Sequence, residues 1–434
     1  MTQFICSPGG RVSGSIRVPG DKSISHRSII MSSIAEGSSH ISGFLTGEDS
    51  LNTIRAFQQM GVPIERDQAQ VKVCGVGLHG LAKPGSDLDM GNSGTAMRLL
   101  LGLLAGQAFD SRMIGDSSLS SRPMQRVIDP LQAMGASIDS EPGGRAPLAI
   151  TGNRGLNAIE YDMPVASAQV KSCLLLAGLY ASGETVVREP APTRDHSERM
   201  LRGFGCEVLS NGSEIRLQGN QVLAARDIEV PADISSAAFL MVAASIAVDS
   251  EITLRHVGVN PTRTGVIDIL KLMGANIELS NQCDIGGEPV ADITVRSACL
   301  SGIDIPAQLV PLAIDEFPVL FVAAACADGT TCLSGAEELR VKESDRIQVM
   351  ADGLTVLGIN AQSQADGIVI QGGEPGGGVV ESHGDHRIAM AFSVASLCAS
   401  RDIRINECTN VNTSFPGFVE LAHQIGIRIT VDAG

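Results

Sequence analysis

Residues 264–278 read TGVIDILKLMGANIE. Val266, Ile267, Ile269, Leu270 and Met273 recur at helical spacing, so the segment predicts an amphipathic helix with one apolar face. Gly274 follows at once, where a left-handed residue ends a helix and turns the chain. The stretch after it begins a strand. The same phrase occurs six times, as QQMGVPIE (58–65), QAMGASID (132–139), RGFGCEVL (202–209), KLMGANIE (271–278), TVLGINAQ (355–362) and HQIGIRIT (423–430). Its glycines, Gly61, Gly135, Gly205, Gly274, Gly358 and Gly426, are 74, 70, 69, 84 and 68 residues apart. Six copies in nearly even register exclude chance matching, and the period is too long for the common solenoids.

A second helix-like segment precedes each copy. These read SHRSIIMSSIAEG, GTAMRLLLGLLAG, SAQVKSCLLLAGLYASG, SSAAFLMVAASIAV, FPVLFVAAACADG and HRIAMAFSVASLCAS. They carry little charge on any side, so each predicts a helix buried nearly all round. Short β-branched stretches such as ETVVREP and SEITLRHV read as strands. The repeating unit is therefore a buried helix, a strand, an amphipathic helix and further strands. Six such units in 434 residues fit two domains of three units each.

Composition narrows the function. A formal charge of −16 disfavours nucleic acid and anionic lipid, and a chain with no Trp and two Tyr lacks rings for stacking bases. A small anion stays possible if the few cations that bind it are concentrated. The ten cysteines show no C-x-x-C and several lie in apolar runs, which predicts buried reduced thiols rather than a disulfide framework. The histidines form no HExxH, so no metal is expected. The start, MTQFICSPGGRVSG, lacks the basic and apolar regions of a signal peptide, and no uncharged apolar run is long enough to span a membrane. A soluble, cytoplasmic chain is the expectation.

Four segments place cations beside small residues at predicted helix starts, where free N–H groups and the helix dipole favour anions. VPGDKSISHRS carries Lys22, Ser23 and Arg27. It is not a P-loop, because Asp21 separates Gly20 from Lys22. A capped surface helix explains it equally well when taken alone. MGNSGTAMRLLLG offers a small-residue turn, with Gly94, followed by Arg98. LSSRPMQRVIDPL sets Arg122 before a proline at a helix start. EELRVKESDRIQVM carries Arg340, Lys342, Glu343 and Arg346, and on a helix Lys342 and Arg346 would share a face. Glu343 fits either an ion-pair partner or a proton-transferring carboxyl. GDHRIAM adds Arg387, and LAIDEFPVL adds Asp315, which reads equally as a helix cap. If these helix starts point the same way in each domain, two basic surfaces result.

In order along the chain, PGDKSISHR, GNSGTAMR, RPM, ASAQVKS, NPTRTG, RVKESDR, GDHRIAM and TSFPGF resemble the 5-enolpyruvylshikimate-3-phosphate synthases, from about Gly10 to Phe418. The wording is closer to the second, largely bacterial branch. The resemblance implies an α/β fold of two pseudo-threefold domains, each three βαβαββ units around buried parallel helices, an inside-out α/β barrel. It places the N-terminal domain at 21–230 and the C-terminal domain at 1–20 plus 231–434, with a cleft that closes on substrate.

It also implies transfer of the enolpyruvyl group of phosphoenolpyruvate to the 5-hydroxyl of shikimate 3-phosphate, without cofactor, in aromatic amino-acid biosynthesis. Lys22, Ser23, Arg27, Ser167, Ala168, Gln169 and Arg194 match shikimate 3-phosphate contacts, and Lys22 and Gln169 also match phosphoenolpyruvate contacts. Gly94, Arg122, Arg346 and Arg387 match the phosphoenolpyruvate site. Asp315 and Lys342 match groups around the attacking hydroxyl, while Lys22, Asp315 and Glu343 match the catalytic set. Small-molecule substrates alone are expected as partners, of a monomer.

Some positions depart from the first branch. Ala168 replaces a serine, Glu338 an asparagine, Leu99 a proline, and Thr413 stands where that branch has a phosphoenolpyruvate-binding lysine. Gly94 is the residue of glyphosate-sensitive members. The sister family, the UDP-N-acetylglucosamine enolpyruvyl transferases, has a reactive cysteine in an N-terminal-domain loop, and the corresponding GDSSLSSRPM has none. A degenerate anion-binding scaffold would have lost Lys22, Asp315, Glu343 or Arg387. A nucleotide-dependent kinase would need a phosphate loop.

Overall fold

The computed structural model describes residues 2–152 and 155–433. The chain divides into two compact units. The N-terminal unit is Gly20–Val230 with Ile285–Glu288, and the C-terminal unit is Met1–Pro19, Pro231–Asp284 and Pro289–Gly434. Each has its own hydrophobic core.

The six apolar segments form six helices, α1 (Lys22–Ile34), α2 (Gly94–Ala105), α3 (Ala168–Gly178), α4 (Ile234–Ile246), α5 (Phe317–Ala325) and α6 (His386–Ala395). They are buried on almost every side, as their uncharged circumference requires. In the C-terminal unit α4, α5 and α6 pack on one another. In the N-terminal unit α2 packs along α3 so closely that a β-carbon on Gly102 would sit 2.1 Å from the Cys173 carbonyl oxygen, so only glycine fits.

The amphipathic helices are Glu48–Gln59, Gln125–Ala133, His196–Gly203, Gly265–Leu272, Arg346–Val356 and Phe418–Ile425. After each one the repeat glycine turns the chain with φ between 84° and 103°, the left-handed region that other residues enter at a cost.

Among the described residues six small sheets complete the units, three in each, and five of them share one four-stranded plan. In the third, Glu184–Arg188 runs parallel to Glu160–Asp162 and antiparallel to Glu214–Gln218, which pairs antiparallel with Val208–Asn211. The chain's first residues complete two sheets of the C-terminal unit. Gln3–Cys6 is the central strand between Ile403–Asn406 and Ile429–Asp432, and Ser13–Ile16 runs parallel to Glu251–Gly258. The fifth sheet has three strands, its parallel lane reduced to two isolated bridges, Ser301 with Asp328 and Asp304 with Cys332. The fold is the pseudo-threefold α/β arrangement expected from the repeat.

All ten cysteines are free thiols. Cys6, Cys173, Cys206 and Cys408 are buried, but Cys283 and Cys299 are exposed, against the expectation of burial. Cys283 lies in the long strand Asn276–Ile285, the edge of its sheet, in which no residue is fully buried. No helix among the described residues is long and apolar enough to cross a membrane.

Candidate active site

In the N-terminal unit the starts of α1, α2 and α3 are tied together by side chains. Asp21 caps α1 by accepting from the Ile24 N–H at 2.8 Å, which places Lys22 and Ser23 in the first turn. Lys22 is ion-paired to Asp49. One turn on, His26 Nδ1 lies 2.7 Å from Thr53 Oγ1, and Nε2 lies 3.4 Å from Ser93 Oγ, the residue that caps α2. Burial, with Lys22 adding to it, pushes the His26 pKa down to about 3, so the ring is neutral.

Arg27 is almost fully buried. Its Nε donates to Ser197 Oγ at 2.7 Å, Nη2 to Ser172 Oγ at 2.7 Å, and Nη1 to the Ser23 carbonyl at 3.0 Å. Burial lowers its pKa to about 10, which leaves the guanidinium charged near neutrality. At the start of α3, Ser167 caps the helix and Ala168 opens it. Gln169 bridges α3 to α2, accepting from Arg98 Nη1 at 2.6 Å and donating to Thr95 Oγ1 at 3.0 Å. Arg122 donates to Asn92 Oδ1 at 2.8 Å. Gly94 lies under both arginines, and a β-carbon there would sit 3.2 Å from Arg98 Nη1 and 3.4 Å from Arg122 Nη1. Arg194, half-buried in the segment before His196–Gly203, is near enough to Arg27 to lower its pKa.

In the C-terminal unit a second cluster gathers at the starts of α5 and α6. The Asp315 carboxylate stands 3.8 Å from Lys342 Nζ and 3.5 Å from Arg346 Nη1, and its carbonyl accepts from Arg387 Nη1 at 2.8 Å. Arg346 is buried. It donates through Nε to Asp385 at 2.8 Å and through Nη2 to Glu343 at 2.6 Å. Burial would lower its pKa, but the carboxylates of Asp385, Glu343 and Asp315 outweigh that and raise it. Asp385, itself fully buried, would be raised by desolvation, and Arg346 overrides this and holds it below the usual carboxylate range. Asp385 also caps α6 through the Arg387 N–H at 2.9 Å. Glu316, buried beside Asp315, accepts from Ser235 and stands 3.7 Å from Arg263 and 3.8 Å from Arg387.

The sequence-predicted residues thus fall into two groups. Lys22, Ser23, Arg27, Gly94, Arg122, Ser167, Ala168, Gln169 and Arg194 belong to the N-terminal unit, and Asp315, Lys342, Glu343, Arg346 and Arg387 to the C-terminal unit.

Three expectations need correction. Lys342 and Arg346 do not share a helix. The backbone leaves the helical region at Lys342 (φ −81°, ψ −149°), which ends the short 3-10 turn Glu337–Val341, and Arg346 opens a separate helix. They meet at Asp315 all the same, because carboxylates and not helical spacing gather them. Asp315 is not a helix cap, since its side chain turns to those two cations. Nor are the clusters simply basic. Lys22, Lys342 and Arg346 each face a carboxylate, which a largely buried cation requires.

Sequence reasoning missed His26, Ser172, Ser197 and Asp385, whose roles depend on partners far away in sequence. Only the helix-start position of Asp385, one residue before HRIAM, was a usable signal.

Comparison with known proteins places the chain in a family. The family profile described as EPSP synthase (3-phosphoshikimate 1-carboxyvinyltransferase) matches residues 6–421. A 3-phosphoshikimate 1-carboxyvinyltransferase of Alkalilimnicola ehrlichii is 63% identical over 431 residues, covering 99% of this chain and 96% of that one. One from Methylococcus capsulatus is 62% identical over 429 residues, with 99% and 98% covered. The solved EPSP synthase of Acinetobacter baumannii superposes over the whole of both chains with a TM-score of 0.91 at 55% identity. On fold, motif order and these similarities together, the chain belongs to the EPSP synthase (3-phosphoshikimate 1-carboxyvinyltransferase) family.

Proposed function

We propose that the chain transfers the enolpyruvyl group of phosphoenolpyruvate to the 5-hydroxyl of shikimate 3-phosphate, releasing phosphate. The observation that carries this reading is the Asp315 carboxylate set between Lys342 and Arg346, with Arg387 on its own carbonyl. A carboxylate so placed can accept a hydroxyl proton while the arginines hold an anionic partner in fixed, bidentate geometry.

Shikimate 3-phosphate is assigned to Lys22, Ser23, Arg27, Ser167, Ala168, Gln169 and Arg194, with its reacting hydroxyl near Asp315 and Lys342. Three of the N–H groups of Arg27 are spent on Ser23, Ser172 and Ser197, so the guanidinium is fixed before any ligand arrives. Phosphoenolpyruvate is assigned to Lys22, Gly94, Arg122, Gln169, Arg346 and Arg387. In the first step the 5-oxygen bonds to C2 of phosphoenolpyruvate, the hydroxyl gives up its proton, and C3 takes one. In the second, the C2–O bond to phosphate breaks and C3 returns a proton, restoring the double bond. Glu343 and Asp315 are the carboxyls placed to carry those protons, and Lys22 the cation to stabilise charge on the phosphate. A monomer working in the cytoplasm completes the proposal. Ten free thiols fit a reducing compartment.

The test is phosphate release from purified protein given phosphoenolpyruvate with either shikimate 3-phosphate or UDP-N-acetylglucosamine. Release with the first acceptor alone, abolished by Lys22→Ala, is the expected result. Release with the nucleotide sugar alone would move the chain to the sister activity.

A further inference from the structure

Behind the N-terminal cluster lies a set of buried charges that the assignments above do not use. Lys171, on α3, is 1% exposed. Its Nζ stands 3.0 Å from Glu189 and 2.7 Å from Glu198, both also out of solvent. Two carboxylates on one buried ammonium would leave a net negative charge in the interior, which is costly unless balanced. Arg27 adds a second cation, and Glu198 is the carboxylate that acts on it most strongly, with Asp21 and Glu288 acting in the same sense and Arg194 against. Lys171, Glu189, Glu198 and Arg27 thus form a buried quartet of charges.

The quartet joins elements that carry proposed ligand contacts. Lys171 follows Ser167, Ala168 and Gln169 on the same helix. Glu189 accepts a hydrogen bond from Thr193, the residue next to Arg194, and so holds the turn that leads to that arginine. Glu198 lies in the helix His196–Gly203, beside Ser197. A chain of hydroxyls runs from Arg27 through Ser197 and Ser172 to the Ala168 carbonyl, with links of 2.7, 2.7 and 2.6 Å. Three separate segments are therefore fixed relative to one another by one polar node. A merely stabilising role would be filled better by apolar side chains of the same volume, because buried ion pairs seldom repay their desolvation.

We propose that Lys171 is a positioning residue for acceptor binding, which sets the Arg194 turn against the start of α3 and against Arg27. This rests on assigning Arg27, Ala168 and Arg194 to shikimate 3-phosphate. Lys171 itself touches no substrate, so its removal moves the acceptor's binding far more than the phosphoenolpyruvate side.

The test is steady-state kinetics of Lys171→Met and Lys171→Arg, varying each substrate in turn. Lys171→Met is expected to raise KM for shikimate 3-phosphate about tenfold or more, with KM for phosphoenolpyruvate changed less than about threefold, and Lys171→Arg to recover most of the loss. Unchanged KM for the acceptor would overturn the proposal, and so would an equal rise in both KM values without recovery by arginine, which is what general loosening produces. If Lys171→Met does not fold, Glu189→Gln keeps the lysine and weakens only its hold on the Thr193–Arg194 turn, and the same two criteria apply to it. Wild-type protein that releases no phosphate with shikimate 3-phosphate would instead refute the substrate assignment, and that control is read before any variant.

Discussion

Asp385→Asn should destabilise the C-terminal unit and weaken phosphoenolpyruvate binding together. Asp385 is fully buried and accepts from Arg346 Nε at 2.8 Å, from Ser344 Oγ at 3.1 Å and from the Arg387 N–H at 2.9 Å. Asparagine keeps the volume and the oxygen that caps α6, but it removes the charge and turns an N–H₂ group toward the Arg346 and Ser344 donors. Removing one partner of a buried pair costs about 3–5 kcal/mol. Glu343 at 2.6 Å and Asp315 at 3.5 Å still face Arg346, which argues for the lower end, about 3 kcal/mol. For a domain of roughly 150–250 residues that is a fall in Tm of about 6–12 °C.

Thermal melts followed by far-UV circular dichroism read it, since the chain has no Trp for fluorescence. With Arg346 losing its charged anchor, KM for phosphoenolpyruvate should rise about tenfold, equivalent to roughly 1.4 kcal/mol. A Tm within about 2 °C of wild type would refute the pairing argument, because a charge worth about 3 kcal/mol cannot disappear so quietly.

Other predictions follow from single sites. His26 is held neutral with its pKa lowered to about 3, so its share of stability is complete above the unfolded-state value near 6.5 and is lost as pH falls from there toward 3. His26→Gln should flatten that part of the stability–pH curve, whose slope from one site is about 1.4 kcal/mol per pH unit, and an unaltered curve in urea titrations would contradict the burial argument. Gly358→Ala meets no neighbour within 4 Å and should cost only the left-handed backbone strain, about 1 kcal/mol. Gly102→Ala drives a methyl onto the Cys173 carbonyl and should cost at least about 2–3 kcal/mol, so equal losses for the two in denaturant titrations would count against the helix contact. Gly94→Ala places a methyl against Arg98 and Arg122 and should raise KM for phosphoenolpyruvate, and the inhibition constant of glyphosate with it, while KM for shikimate 3-phosphate moves less. Initial-rate kinetics that show the opposite order would remove Gly94 from that site.

The fold was readable because it repeats. A glycine at φ near 90° after each amphipathic helix leaves a mark in the residues themselves, and so does a helix with no charged side. The candidate site was readable where chemistry coincides with helix starts, as at Lys22, Gly94 and Arg387. It was not readable where partners are distant in sequence. Nothing in SERM or ASAQVKS announces that Ser197 hydrogen-bonds Ser172, or that Lys171 is neutralised by Glu189 and Glu198. Lys342 and Arg346 show the converse error, since four-residue spacing suggested one helix where a bend and a shared carboxylate do the work. Periodicity reports local geometry, while charge pairing is decided by the tertiary fold.

Addition–elimination is tested most directly by identifying which fragment of phosphoenolpyruvate leaves, and by running the reaction in deuterated water. Mass spectrometry and phosphorus NMR of one mixture with shikimate 3-phosphate supply both answers. The expected products are inorganic phosphate and an enolpyruvyl ether of the acceptor, with solvent deuterium in its vinyl methylene, because C3 passes through a methyl group. Pyruvate together with a doubly phosphorylated acceptor would mean phosphoryl transfer instead, and would contradict the roles given to Asp315, Glu343 and the arginines around them.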